Sequence, residues 1–115
     1  MEKNLKVLSD EIVELPHNFL VESIDDHCVR IAVTEDHTYP LHKHPNSDEL
    51  FVVLEESLVI EFSNRDRDRV SLKSGDYFRV AVGRLHRTIA IGRTVNVCFD
   101  SIGAETIFPD AKAEL

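Results

Sequence analysis

No stretch of this sequence is apolar for long enough to cross a bilayer. The longest purely apolar run, Leu50-Phe51-Val52-Val53-Leu54, falls far short of the roughly 20 residues that a spanning helix needs. The opening Met1-Glu2-Lys3-Asn4 lacks the apolar centre of a secretory signal, so the expectation is a cytoplasmic protein with no membrane partner. Only two cysteines occur, Cys28 and Cys98, both inside runs that read as strands and neither spaced like a zinc-knuckle pair. They are expected as buried, reduced thiols and not as a disulfide framework. Positive charge is also scarce: 13 Lys and Arg stand against 21 Asp and Glu, and the formal net charge of −8 repels phosphate backbones and anionic lipid. That argues against a nucleic-acid role. Arg65, Arg67 and Arg69 alternate with Asp66 and Asp68, which neutralise them, so the stretch reads as a solvated hairpin tip. Low-complexity tracts, internal repeats and Pro- or Ser-rich linkers are missing as well. A chain of 115 residues suits one hydrophobic core and is too short for two, so one domain is expected over residues 1–115.

What is present is mostly periodicity. Leu5, Leu8, Ile12 and Leu15 recur at three- and four-residue steps before Pro16, which suits a short N-terminal amphipathic helix, although Val7 and Val13 would also suit a strand. From about residue 19 the period becomes two: Val29, Ile31 and Val33 alternate, then Leu58, Ile60 and Phe62, then Val95, Val97 and Phe99. Shorter runs lie at Phe51 to Leu54, Val70 to Leu72, Tyr77 to Val82 and Arg87 to Ile91. Turn-formers separate them, among them Pro40, Pro45, Asn64, Ser74-Gly75-Asp76 and Gly83. Many short strands with turns between them predict an all-β, antiparallel sandwich or barrel. Leu50 to Leu54 is apolar on both faces, which predicts a covered outer face and, through a second copy, a homodimer.

Four segments carry chemistry: Leu41-His42-Lys43-His44, Asp48-Glu49, Gly75-Asp76 and Gly83-Arg84-Leu85-His86. On extended chain, residues two apart face the same side, so His42 and His44 present both imidazoles in one direction. Pro45-Asn46-Ser47 breaks the strand and lets Glu49 return toward the same point, and His86 arrives later, just after a glycine turn. A His-x-His pair alone is more often two unremarkable side chains than a metal site. Three imidazoles with one carboxylate form a mixed nitrogen and oxygen set that suits iron, manganese, nickel, copper or zinc.

These residues resemble the two motifs of the cupin family. Its first motif is His-x-His, then Glu after three or four residues, then Gly six residues later; here it is matched by His42, His44 and Glu49. The second, Gly-x5-Pro-x-Gly-x2-His-x3-Asn, is matched in register by Gly75, Gly83 and His86. The matching segments lie at 42–56 and 75–90. The wording His44-Pro45-Asn46-Ser47-Asp48-Glu49-Leu50-Phe51 and Gly83-x-x-His86-Arg87 is similar to small single-domain cupins labelled mannose-6-phosphate isomerase-like. The resemblance implies a double-stranded β-helix, or jelly-roll barrel. It also implies one divalent transition metal (zinc, iron, manganese or nickel) held by His42, His44, Glu49 and His86. Departures are local: Asp36 and Glu56 stand where the family places glycines, Ala81 replaces Pro and Ala90 replaces Asn. Glu56 is therefore expected at positive φ, in a strained or differently bent hairpin.

Asp48 reads as a surface carboxylate or a support for the ligands. Among Arg79, Arg84 and Arg87, which border the second motif, Arg84 is the first candidate for a substrate-pocket cation, and Tyr39 lies close enough to His42 to line the entrance. Tyr39, Tyr77, Phe51 and Phe78 read as core or dimer contacts, and His17, His27 and His37 as ordinary surface or loop histidines. The leading functional expectation is a metal-dependent enzyme on a small polar or anionic metabolite, of isomerase or dioxygenase type. The alternatives are a non-catalytic module for a sugar-like small ligand and a vestigial barrel that serves as a dimer surface.

Overall fold

Asn4 begins the first element: its side-chain oxygen accepts the Val7 amide at 3.1 Å and caps helix α1 (Leu5–Asp10). The computed structural model describes residues 3–63 and 68–109. The helix is shorter than the Leu5 to Leu15 periodicity that announced it. Ile12 and Leu15 lie beyond its end yet still pack with Leu5 on one apolar cluster, because contact with the sheet, more than local propensity, stabilises so short a helix. No helix among the described residues is long and apolar enough to cross a membrane.

Six strands follow: β1 (His17–Ile24), β2 (His27–Thr38), β3 (Glu49–Phe62), β4 (Arg69–Lys73), β5 (Tyr77–Val80) and β6 (His86–Ser101). All their pairings are antiparallel, in the order β1-β2-β6-β3-β4, with β5 also paired to β3. The architecture is the antiparallel double-stranded β-helix expected from the sequence, with one short helix. Of the charged stretch expected as a hairpin tip, Arg65, Asp66 and Arg67 lie outside the described residues, and Arg69 opens β4 with its guanidinium 3.7 Å from Glu61.

The runs Phe51–Leu54 and Leu58–Phe62, which read as separate strands, are two halves of β3; Arg87–Ile91 and Val95–Phe99 are likewise halves of β6. Each long strand bends at a residue of positive φ: Asp36 at 43° in β2, Glu56 at 62° in β3 and Gly92 at 73° in β6. The register shifts at the same places, between Glu35 and His37 and between Glu55 and Ser57. An extra residue inserted this way reverses the inward and outward phase, which is why the alternation seems to stop and restart. The three bends are neighbours across the sheet, and the Gly92 amide donates to Asp36 Oδ1 at 2.8 Å. The two positions where the motif carries glycine thus keep a left-handed backbone although both hold a side chain.

The bend lets each long strand serve two walls. On one side of it Leu58, Ile60 and Phe62 join Phe51, Val53, Leu72 and Val80 in a buried core. On the other, Ile31, Val33, Val95 and Val97 are buried beneath Leu5, Ile12, Leu15, Phe19 and Leu54. The chain's own N-terminal segment therefore covers that apolar outer face. Ala32 and Asn96 pair on the opposite face of the same strands, which stays polar and turns inward. Cys28 and Cys98 are buried and free. Phe51 and Phe78 pack in the core as expected, but Tyr77 is 71% exposed, because strand alternation turns it away from Phe78.

A non-glycine residue in the left-handed region carries roughly 1–2 kcal/mol of strain. Glu56→Gly is therefore expected to raise stability in urea denaturation by up to about 1 kcal/mol, the gain being trimmed by glycine's freer unfolded chain. Asp36→Ala keeps the strain and removes the acceptor for Gly92, and should lower stability by roughly 1 kcal/mol.

Candidate metal centre

His42 and His44 lie on an extended segment between β2 and β3, not inside a long strand. His42 and His86 are backbone partners: each amide donates to the other's carbonyl at 2.9 Å, which fixes the start of β6 beside the histidine pair. Lys43 makes the same reciprocal contact with Ile107, at 2.9 and 3.0 Å, so a C-terminal strap backs the segment from the far side. Glu49 opens β3. The turn before His86 is tied down twice, by the Gly83 amide on the His44 carbonyl at 2.8 Å and the Val82 amide on Asp48 Oδ1 at 2.7 Å. Asp48 is an exposed carboxylate that steadies this turn, with Arg79 3.5 Å from its other oxygen.

Each imidazole is oriented in the same manner. Nδ1 of His42, His44 and His86 lies 2.9 Å from the carbonyl oxygens of Pro40, Glu105 and Arg84 respectively. A carbonyl can only accept, so each Nδ1 carries its proton and each Nε2 is turned the other way. His44 Nε2 and His86 Nε2 lie 3.1 and 3.4 Å from one oxygen of Glu49. Ligand atoms of all four residues fall within 4.8 Å of one another, and all four side chains are buried. His86 Nε2, fully enclosed, has no hydrogen-bond partner among the described residues. A buried ring nitrogen without a partner is unfavourable in a protein interior, and a cation at the common point would satisfy it. Nitrogen-rich donors with one carboxylate fit a divalent transition ion.

The electrostatics follow from burial. Burial, followed by the charge of His86, pushes the His42 imidazole down from 6.5 to about 4. His44 moves the opposite way, raised chiefly by its hydrogen bond to Glu49. Burial is the largest single influence on Glu49 and acts upward, but the hydrogen bond to His44 and the proximity of both the His44 and His86 rings together hold its carboxyl down at about 2. A proton on His44 and a metal ion therefore compete for the same carboxylate-faced position.

His42, His44 and Glu49 form one wall of a cavity of about 440 Å³, with His86 enclosed behind them; Arg30, His37, Tyr39, Asn96, Cys98 and Asp100 line it further. Tyr39 meets the His42 ring edge-on, with ring centres 4.9 Å apart. Arg84 is not among the lining residues: its guanidinium stacks 3.5 Å over the Phe62 ring and reaches Asp68 at 3.4 Å, so here its carbonyl serves the site by orienting His86. Arg87 pairs with Glu61 at 2.7 Å. The arginine that does line the cavity is Arg30, and sequence reasoning passed over it. Its signal was present, since Arg30 alternates with Val29 and Ile31 and must face away from their cluster. His17 and His37, read as ordinary histidines, also line the cavity; the bulge at Asp36 reverses the phase that would have placed His37.

Removing the Asp48 oxygen frees the turn that delivers His86. Asp48→Ala should weaken metal binding by about tenfold, whereas Asp48→Asn, which still offers an oxygen to Val82, should stay within a few-fold; competition with a chelating dye measures both. For the metal-free protein the unfolded His42 takes up a proton near 6.5 and the folded one near 4, so unfolding is favoured as the pH falls through that window. Below 6.5 the stabilisation from the raised His44 is already complete. Stability relative to His42→Asn should fall by roughly 3 kcal/mol between pH 6.5 and 4, read by urea denaturation.

No family model matches the chain. It is 42% identical over 105 residues to the uncharacterized protein YdbB of Bacillus subtilis strain 168, covering 91% of this chain and 90% of that protein. It is 35% identical over 82 residues to germin-like protein subfamily 1 member 7 of Arabidopsis thaliana, which covers 67% of this chain but only 36% of that longer protein. Among solved structures, a cupin-2 domain protein of Shewanella frigidimarina superposes with a TM-score of 0.78 at 18% identity, over 86% of this chain and 93% of that one, a likeness of fold. The chain therefore belongs to one family with YdbB, and its fold is that of the cupin-2 domain protein on which it superposes.

Proposed function

We propose that His42, His44, Glu49 and His86 bind one divalent transition metal, and that the protein is a metal-dependent enzyme acting on a small polar or anionic metabolite. The observation that carries this is the shared orientation of the three rings: every Nδ1 proton is held by a backbone carbonyl, and the Nε2 atoms gather with the Glu49 carboxylate at the wall of a cavity. When bound, such an ion supplies Lewis acidity that polarises a carbonyl or stabilises an enolate. The chain's own part is to keep the donors aligned, to exclude bulk water by burial, and to leave the cavity side open to substrate. Zinc, iron, manganese and nickel all suit three imidazoles and a carboxylate.

Isomerase and dioxygenase chemistry both fit this arrangement. The wording shared with mannose-6-phosphate isomerase-like cupins over His44 to Phe51 supports testing sugar isomerisation, and oxygen consumption with diketones, thiols and phenols tests the other arm. Ligand binding with no turnover in either arm would favour a small-molecule binding module instead. The acidic net charge and the lack of any apolar run of spanning length support a cytoplasmic setting.

Protein purified without chelators should carry close to one equivalent of metal by elemental analysis. His42→Ala and His86→Ala should each weaken binding by roughly a hundredfold or more, since losing a ligand exceeds the tenfold to hundredfold loss typical of its supports. The hydrogen bond to Glu49 raises His44, so wherever that imidazole carries its second proton a metal must displace it; binding should weaken as the pH falls, and in that range the binding enthalpy should vary with the ionisation enthalpy of the buffer. A wild-type protein that stays empty after titration with all four metals would sink the proposal.

A further inference from the structure

Beside the four clustered residues the cavity holds polar groups that this reading leaves unused. Arg30 of β2 and Asp100 of β6 both line it. Their placement follows from register: Arg30 pairs with Cys98 and Cys28 with Asp100, so the two charged side chains stand diagonally on the face turned away from Ile31 and Val97. Asp100 is only 9% exposed, and its Oδ1 is buried without a hydrogen-bond partner among the described residues. Arg30 is half-buried and is the one Lys or Arg among the described residues lining the cavity. It influences Asp100 through its charge without forming an ion pair with it.

A buried acceptor with no donor is a liability that proteins rarely keep without a use, and a guanidinium fork facing a cavity matches a carboxylate. We infer that the cavity binds a small hydroxycarboxylate, with its carboxylate on the Arg30 guanidinium and its hydroxyl donating to Asp100 Oδ1. This deepens the enzyme reading above and rests on it for what happens next to the metal. A phosphate dianion fits less well, because Asp100 and Glu49 both face that space and repel the extra charge. The cavity volume of about 440 Å³ is near the small end of ligand sites, which span about 300–1,000 Å³, and limits the substrate to a short chain.

The test is calorimetric titration of D-glycerate, propionate and glycerol into the wild type, manganese-loaded and chelator-treated, and into Arg30→Gln, Arg30→Lys, Asp100→Ala and Asp100→Asn. Elemental analysis of each variant reports the metal. Glycerate should bind at least about tenfold tighter than propionate or glycerol, one charge-assisted hydrogen bond being worth that much. Arg30→Gln should weaken glycerate by about tenfold or more with metal content unchanged, and Arg30→Lys by less. Asp100→Ala should erase the preference for glycerate over propionate, and Asp100→Asn, which keeps an acceptor oxygen, should restore part of it. Equal binding of glycerate and propionate by the wild type, or wild-type affinity in Arg30→Gln, overturns the inference. Metal at full content with no glycerate binding overturns it as well and leaves the metal reading standing. Glycerate binding that depends on Arg30 in a protein that takes up no metal supports it and sinks the metal reading instead.

Discussion

A carboxylate withdrawn from water must find charge or donors to replace its hydration, and Glu49 finds its hydrogen-bond partner in His44, with the His86 ring 3.4 Å from the same oxygen. Most of the molecule's local architecture serves that exchange. The rings can face Glu49 only because their other nitrogens are anchored on backbone carbonyls, and those carbonyls come from three separate places: Pro40 before the histidine pair, Arg84 in the turn before β6, and Glu105 in the C-terminal strap. Loss of any one anchor would let a ring rotate or exchange tautomer, and the buried cluster would then hold an uncompensated charge. The strap illustrates the economy of the arrangement, since Asn46 binds it at both Gly103 and Glu105 while Lys43 pairs with Ile107.

The bend shared by β2, β3 and β6 is the second constraint. A flat sheet of this composition would expose one of its two faces. Bending each strand at a left-handed residue buries Leu58, Ile60 and Phe62 in one core, while Leu58 also meets Arg30, Asn96 and Asp100 in the lining of the cavity. The apolar core and the polar cavity are thus made by the same strands and adjoin one another at Phe51, Leu58 and Ala90. Asp36 couples the corner across strands through the Gly92 amide, and so does more there than a glycine could.

Charge is distributed accordingly. The chain is acidic as a whole, yet the cavity is lined by Arg30 and four imidazoles, those of His17, His37, His42 and His44, along with Glu49 and Asp100. Burial, with Glu49 nearby, raises the Asp100 carboxyl, and Arg30 works against that rise. Cys98 sits among the same groups; burial, then Glu49 and Asp100, push its thiol up, which keeps it protonated and unreactive beside the site.

The fold class and the grouping of His42, His44, Glu49 and His86 were legible in the sequence. Period-two alternation reports which face a residue occupies, and imidazole and carboxylate chemistry is legible wherever the letters stand. It also pointed to Glu56 as a residue at positive φ, through the glycine it replaces. Tertiary structure alone decided the rest. That two apolar runs are one bent strand depends on pairing with distant neighbours, because a bulge is a mismatch between strands and is invisible in either one. The choice of Arg30 over Arg84 for the cavity turned on Phe62 and Asp68 drawing Arg84 aside. The anchors on Pro40, Glu105 and Arg84 could not be read at all, since every residue carries the same carbonyl and only the folded chain determines which of them meets a ring.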